Sequence, residues 1–382
     1  SINLKFIQQH SQGYPGSKGY EKIDAETFKD WGVDYLKLDG CYNDQAGYAT
    51  GYPAMGSALQ NSGRDIVYSC SWPAYLGDNE TSKPFQAMID GGCNLWRNWA
   101  DIDNSWKSVQ SIIDHWGDYC ESLKPFAGPG HWHDMDMVLV GDDHNNFTMN
   151  EDQSQTQLTI WSIMAAPLIM SSDLRTMEDR YRDILLNPEV IAIDQDPLGE
   201  MGLRLTPKAA PGGEIWARNL SDGSMAVALF NRGDTIHAKC EHWNVTHGRY
   251  HDSGVNLKCA SWDSVEAMKN ECCETPTCYE FSVSNDGKTP VSGCLKPRAG
   301  EDGPFVEMSG YDGWQRLDSP PSPSPMHISF QMSDLGHPAS EWDSASVRDL
   351  WLREDAGTIE KSQQRTELVQ PMGVKFFKLT KN

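Results

Sequence analysis

Asp24-Ala25-Glu26-Thr27-Phe28-Lys29-Asp30-Trp31-Gly32-Val33-Asp34-Tyr35-Leu36-Lys37-Leu38-Asp39 holds two patterns back to back. Asp24 to Trp31 reads as a short helix, and Val33 to Asp39 follows at once as an extended run ending on a carboxylate. Ile66-Val67-Tyr68-Ser69-Cys70-Ser71-Trp72 is a second strand candidate. After Ser105, the residues Trp106, Val109, Ile112, Ile113 and Trp116 recur at helical spacing. Residues 152–166, through Leu158, Trp161, Ile163 and Met164, read as another helix that Pro167 ends. Strand–helix alternation over residues 1–197 predicts a parallel α/β fold, either an open sheet or a barrel.

Beyond Pro197 the pattern changes. Glu214 to Arg218 and Ser224 to Phe230 alternate or run apolar, separated by Asn219-Leu220-Ser221-Asp222-Gly223, a good hairpin turn. Gly373 to Leu379 is again strand-like, so this part predicts a β domain. Between about Cys240 and Pro325 it is interrupted by a cysteine-rich stretch, which closes in the stiff linker Ser319-Pro320-Pro321-Ser322-Pro323-Ser324-Pro325. No internal repeat is visible.

Bulk properties narrow the function. At roughly 150 residues per domain, 382 residues fit two domains. The 38% hydrophobic and 23% charged content suits a packed core. A net charge of −22 argues against nucleic acid and anionic membrane surfaces, because phosphate binding needs clustered Lys and Arg. It does not repel a neutral sugar, although such a charge also simply keeps a protein in solution. None of the ten cysteines forms a paired C-x-x-C zinc pattern. Together with the sequons at Asn79, Asn146, Asn219 and Asn244, they favour a disulfide-permissive secretory compartment. No apolar run approaches the ~18 residues of a membrane span. The chain carries no signal peptide and starts at Ser1 without an initiator Met, so an unnatural start is expected.

The candidate strands end in polar or charged residues: Asp39, Ser71, Arg97 with Asp101, and Asp136. In parallel α/β folds, ligands bind at the carboxyl ends of strands. Two carboxylates ~5–5.5 Å apart there can run glycoside hydrolysis, one attacking the anomeric carbon and the other protonating the leaving oxygen. A single strand-end Asp reads first as a helix cap. Several in register, interleaved with Trp72, Trp96, Trp99 and Trp132, point instead to a sugar site, where rings stack on aromatic faces. Spacing alone does not choose the catalytic pair.

Trp31-Gly32-Val33-Asp34-Tyr35-Leu36-Lys37-Leu38-Asp39-Gly40-Cys41-Tyr42 resembles the nucleophile strand of glycoside hydrolase family 27, which includes the lysosomal α-galactosidases and α-N-acetylgalactosaminidases. Four further blocks match in order: Cys70 to Tyr75, Cys93 to Asp103, Gly128 to Met137 and Ala166 to Ser171. Asp194 to Gly199 resembles the family's exit from its barrel, and Val347-Arg348-Asp349-Leu350-Trp351 its terminal β domain. The resemblance covers about 1–235 and 326–382.

It implies an α/β fold, a (β/α)8 TIM barrel over 1–199, followed by an antiparallel β-sandwich over 200–382 carrying the insertion at about 240–325. In the family two βα units precede the segment resembling Ile2 to Phe6, and this chain lacks them; roughly six of the eight strands can be placed, and either an incomplete sequence or a fragment that folds poorly alone is expected. The implied activity is a retaining exo-α-glycosidase without cofactor or metal. Asp39 is the implied nucleophile and Asp101 the general acid and base. Lys37, Arg97, Asp136, Tyr75 and Met137 are implied sugar contacts. Lys37 lies two residues before Asp39, hence on the same strand face, where a cation favours an ionised nucleophile. An ion pair with Asp39 is the plainer reading of Lys37, and a structural ion pair with Asp101 that of Arg97.

Galactose-restricted members resemble Glu-Trp-Pro-Leu-Tyr at Ser71-Trp72-Pro73-Ala74-Tyr75. Ser71 and Ala74 resemble the N-acetylgalactosamine enzymes, leaving room for a 2-acetamido group that Glu and Leu would fill. This leans the expectation to α-N-acetylgalactosaminidase, with α-galactosidase activity retained. The implied partner is a terminal α-Gal or α-GalNAc glycan, the compartment lysosomal or secreted, and a homodimer is compatible with the resemblance. A Cys70–Cys93 disulfide is implied. A family cysteine expected near Ser11, as partner of Cys41, is absent, which leaves Cys41 free. His133-Asp134-Met135-Asp136 replaces the usual Asn-Asp-Pro-Asp. On a strand, His131 and His133 would face away from Asp134 and Asp136, which argues against a metal site. Cys272-Cys273, Cys278, Phe281 and Gly293-Cys294-Leu295-Lys296 resemble PAN/apple modules, with a plain disulfide-stapled decoration as the alternative.

Overall fold

The computed structural model describes residues 2–5, 16–41, 44–144, 147–208, 210, 213–233, 243–251, 258–274, 278–284, 291–297, 305–316 and 324–382. For residues 2–5, and for part of the strands between 243 and 316, the backbone alone is described. The chain divides into two compact units, residues 1–232 with 325–382, and residues 233–324.

The first unit opens with β1 (Ile2–Lys5), β2 (Tyr35–Asp39), β3 (Val67–Cys70), β4 (Leu95–Arg97) and β5 (Trp132–Asp134), hydrogen-bonded in chain order. All four pairings are parallel. An isolated parallel bridge joins Val138 to Met170 further along the chain. The connections carry α1 (Glu21–Asp30), α2 (Gln45–Asn61), α3 (Phe85–Asp90), α4 (Trp106–Leu123), α5 (Glu151–Ile163), α6 (Asp179–Leu185) and α7 (Pro188–Asp194). A parallel sheet in sequential order with helical crossovers is the wall of a β/α barrel. The Cys70–Cys93 disulfide ties the end of β3 to the approach to β4.

Local chemistry explains the helices. Ser105 caps α4 through the Ser108 N–H (3.2 Å), and Val109, Ile112, Ile113, Trp116, Cys120 and Leu123 bury its inner stripe. In α5, Asn150 and Gln153 form a reciprocal capping box. Between 153 and 163 every residue of α5 except the half-buried Gln155 is buried, because the helix packs against both α6–α7 and the β-sandwich strands. Two of its polar side chains find partners there: Thr156 donates to the Met372 carbonyl (2.8 Å), and Trp351 Nε1 to Thr159 Oγ1 (3.0 Å).

The chain continues through β6 (Leu203–Arg204), β7 (Glu214–Asn219) and β8 (Met225–Phe230), where Gly223, at φ +78°, makes the expected hairpin turn. The second unit contains β9 (Trp243–His251), β10 (Lys258–Trp262), α8 (Val265–Glu274), β11 (Cys278–Ser284), β12 (Val291–Pro297) and β13 (Phe305–Arg316). Its five strands form an antiparallel sheet in the order β10-β12-β11-β13-β9, stapled by Cys259–Cys294. The first unit resumes with β14 (Met326–Phe330), β15 (Ser344–Asp349), β16 (Glu354–Glu360), β17 (Arg365–Val369) and β18 (Val374–Lys381). There β16-β15-β18-β8-β7-β6 form one sheet and β14-β17 another. Val227, Leu229, Phe377 and Leu379 share one core with Ile328 and Phe330, the packing of a sandwich.

Candidate active site

β2 alternates strictly. Leu36 and Leu38 are fully buried, while Tyr35, Lys37 and Asp39 point to the other face. Asp39, the last residue of β2, accepts at Oδ1 from the Gly40 N–H (2.8 Å) and from the Tyr75 hydroxyl (2.6 Å). The Cys41 thiol lies 3.3 Å from Asp39 Oδ2 and 3.0 Å from the Tyr75 oxygen. Among the described residues Cys41 is a free thiol. Burial and the hydrogen bond to Asp39 push the Tyr75 phenol well up, which keeps it protonated and a donor. Gly40 permits the approach: a Cβ there would sit 2.8 Å from the Tyr75 ring.

Tyr75 belongs to a 3-10 turn, Trp72–Leu76, that follows β3 directly. The Ser71 N–H bonds the Leu38 carbonyl (3.2 Å), extending the β2–β3 ladder by one residue and setting the turn beside Asp39. Trp72 stacks on Tyr52 with centroids 5.9 Å apart and planes at 9°. Ser71 is buried and Ala74 half-buried. Among the described residues no ion pair joins Lys37 to Asp39, so the plainer sequence reading of Lys37 does not hold; its charge weakly favours the ionised form of Asp134.

A second cluster is built around Arg97, the buried last residue of β4. Its guanidinium pairs with Asp136 (2.7 Å) and with Asp101 (3.1 Å), and donates to the Ala100 carbonyl (2.8 Å). Asp101 is 92% exposed and Asp136 only 11%. Asp136 adopts φ +75°, a left-handed conformation that Asp tolerates better than most side chains. The Ile102 N–H (2.9 Å) and Met137 N–H (2.9 Å) bond its carboxylate, and Trp161 Nε1 holds its carbonyl (2.9 Å). Met137 is half-buried next to it. Burial pushes the neighbouring Asp134 carboxyl up, opposed by Arg97.

β5 is shorter than the sequence suggests, covering only Trp132–Asp134. The facing argument for His131 to Asp136 therefore does not run the length of that segment. His133 is instead a core residue. Trp96 Nε1 and Asn98 Nδ2 both approach its Nδ1 at 2.9 Å, and its Nε2 reaches the Leu123 carbonyl at 3.0 Å. Those partners assign a neutral ring, and burial holds its pKa down to about 4. Asp142, Asp143 and His144 place ligand-type atoms within 4.8 Å of one another, but His144 is bonded to Asp142, and no predicted site residue belongs to the group.

Behind the Arg97 cluster lies a network that sequence reasoning missed. Glu80, 1% exposed, accepts from Lys83 (2.7 Å) and contacts His115 Nε2 (2.7 Å) and Asn98 Nδ2 (3.2 Å). Glu80 lies inside the Asn79 sequon, whose asparagine caps a 3-10 turn through the Thr81 N–H (3.1 Å). Asn219 is half-buried at the end of β7. Asn146 and the Asn244 side chain lie outside the described residues.

Asp39, Ser71, Arg97 with Asp101, and Asp136 thus gather at the carboxyl-terminal edge of one parallel sheet, where β/α barrels carry their active sites. Residues 3–196 match the family described as alpha galactosidase A, and residues 211–257 match the alpha galactosidase C-terminal beta sandwich domain. The chain belongs to this family, glycoside hydrolase family 27. It is 48% identical over 221 residues to the alpha-N-acetylgalactosaminidase of Rattus norvegicus, covering 58% of this chain and 52% of the relative. It is equally 48% identical over 221 residues to the alpha-galactosidase A of Homo sapiens, covering 58% and 50%. The chain therefore spans about half the length of these curated relatives. The crystal structure of alpha-galactosidase I from Mortierella vinacea superposes with a TM-score of 0.65 at 21% identity, over 100% of this chain and 76% of that one. That likeness shows the fold, a TIM barrel with a C-terminal β-sandwich.

Proposed function

We propose that the sheet edge is the centre of a retaining exo-α-glycosidase acting on terminal α-galactosyl or α-N-acetylgalactosaminyl groups. The observation that carries this is the placement of two carboxylates of different character on one edge. Asp39 is half-buried under a Tyr75 donor, and Asp101 is exposed on the loop after β4 and paired with Arg97. β2 and β4 are two strands apart, roughly 10 Å between backbones at the usual spacing, so side chains reaching inward from the two strand ends can flank one anomeric carbon.

In the first step Asp39 attacks the anomeric carbon while the Asp101 carboxyl gives its proton to the glycosidic oxygen, releasing the aglycone. In the second, Asp101 takes a proton from water, the water attacks the same carbon, and Asp39 is released with net retention. Arg97, Asp136 and Lys37 suit sugar hydroxyls, as charged donors and acceptors. Ser71 and Ala74, short side chains beside Asp39, favour a 2-acetamido substituent without excluding a 2-hydroxyl. The sequons and disulfides support a lysosomal or secreted protein. Among the described residues no helix is long and apolar enough to cross a membrane.

The test is turnover of aryl α-N-acetylgalactosaminides and aryl α-galactosides by the 382-residue chain. Hydrolysis of both, with the higher kcat/KM on the N-acetylgalactosaminide, is expected. Galactose binding without turnover of either substrate would instead describe a silent glycan-binding protein.

A further inference from the structure

We infer that Glu80, Lys83 and His115 are positioning residues for the acid/base carboxylate Asp101, acting through Asn98 and Trp99. This rests on the reading of Asp101 given above. Asp101 is almost fully exposed, and the described protein holds its side chain through Arg97. Its placement is therefore decided by the backbone between the end of β4 and residue 101. Two residues of that backbone, Asn98 and Trp99, are gripped from behind.

Lys83 Nζ donates to the Asn98 carbonyl (2.6 Å) as well as to Glu80 Oε1 (2.7 Å). Asn98 Nδ2 reaches Glu80 Oε2 (3.2 Å), so both its main chain and its side chain are bound to the same ion pair. Trp99 lies flat on His115, with centroids 4.1 Å apart and planes at 1°, and its Nε1 donates to Asp78 Oδ1 (2.9 Å). His115, on α4, closes the set at Glu80 Oε1 (2.7 Å). Lys83 and Glu80 side chains are 0% exposed and His115 only 7%.

A buried ion pair contributes little net stability compared with apolar packing of the same volume, so stability alone does not account for it. Here the geometry supplies one. The fixed charges orient a main-chain carbonyl and a ring on the loop that ends in the acid/base group, and catalytic carboxyls lose rate when displaced by about an ångström.

Glu80→Gln keeps the shape and removes the charge, and the paired Glu80→Gln/Lys83→Met variant removes both charges without leaving one unpaired. Two readouts apply to each. The first is hydrogen exchange of the amides of residues 97–103 relative to those of β2, which needs no turnover. Faster exchange confined to 97–103 is expected, and unchanged exchange there would overturn the inference. The second compares kcat/KM on 2,4-dinitrophenyl and alkyl α-glycosides. A departing dinitrophenolate needs no proton, whereas an alkoxide does. A misplaced acid therefore slows the alkyl substrate by at least about tenfold more than the aryl one. Equal losses on both would mark a merely structural network and reject the positioning role. Absence of wild-type turnover on every glycoside would count against the proposed function, and hydrogen exchange would still judge the clamp.

Discussion

At the level of single residues, Tyr75 differs most from its sequence reading. The resemblance assigns it to the sugar, yet its hydroxyl is spent on Asp39 at 2.6 Å. A hydrogen bond to a charged group is worth ~1.5–3 kcal/mol. In the proposed mechanism it stabilises Asp39 as the group that leaves in the second step, which places its effect on deglycosylation. Tyr75→Phe is expected to lower kcat on an activated aryl glycoside by about tenfold or more, with KM falling as the covalent species accumulates. Steady-state kinetics with burst measurement decides this; unchanged kcat would remove Tyr75 from the chemistry. The position of Tyr75 was legible in the sequence because it follows a strand end. Its partner was not, because hydrogen bonding across 36 residues leaves no periodic trace. The same holds for His115 and Glu80, 35 residues apart.

Elements were legible where one pattern ran long enough. The α4 stripe and the β7–β8 hairpin appear, and the extended run read from Val33 to Asp39 appears as a strand over Tyr35–Asp39. Three-residue strands such as β4 and β5 are too short for a period to show, and the segment after β5 is shaped by α5 as well as by its own Asp134 and Asp136 carboxylates. Gln157 on α5 accepts from the Leu139 N–H (2.8 Å) and donates to the Met137 carbonyl (3.1 Å), binding the irregular backbone that carries Asp136. Gln157→Leu fits the volume but orphans both buried backbone groups, at about 1–3 kcal/mol each. Chemical denaturation should show that loss, and sugar affinity should fall with it. Full stability in the variant would mean that other groups, or water, satisfy the segment.

For the whole molecule, the question is how stability follows acidity in a chain of net charge −22. Burial raises the Asp194 carboxyl to about 7, near Arg218 at the join between α7 and β7. The fold therefore prefers its neutral form. Its contribution to stability is full below the unfolded value near 3.8 and is lost as pH rises through about 7. His133 works the other way: its contribution is full above about 6.5 and is lost as pH falls through about 4. Asp194→Asn should gain stability relative to the parent as pH rises from 4 to 7.5, by an order of a few kcal/mol. Denaturation midpoints across that range measure it, and parallel curves for the two proteins would refute the assignment.

The central claim is that Asp39 is the nucleophile. A 2-deoxy-2-fluoro-galactosyl fluoride slows both steps but the second more, so a covalent intermediate accumulates. Peptide mapping by mass spectrometry should place the fluorosugar on Asp39, with loss of the adduct in Asp39→Ala and slower release of the adduct from Tyr75→Phe than from the parent. A label on Asp101 or on any other residue, or steady hydrolysis with no label at all, would contradict the account.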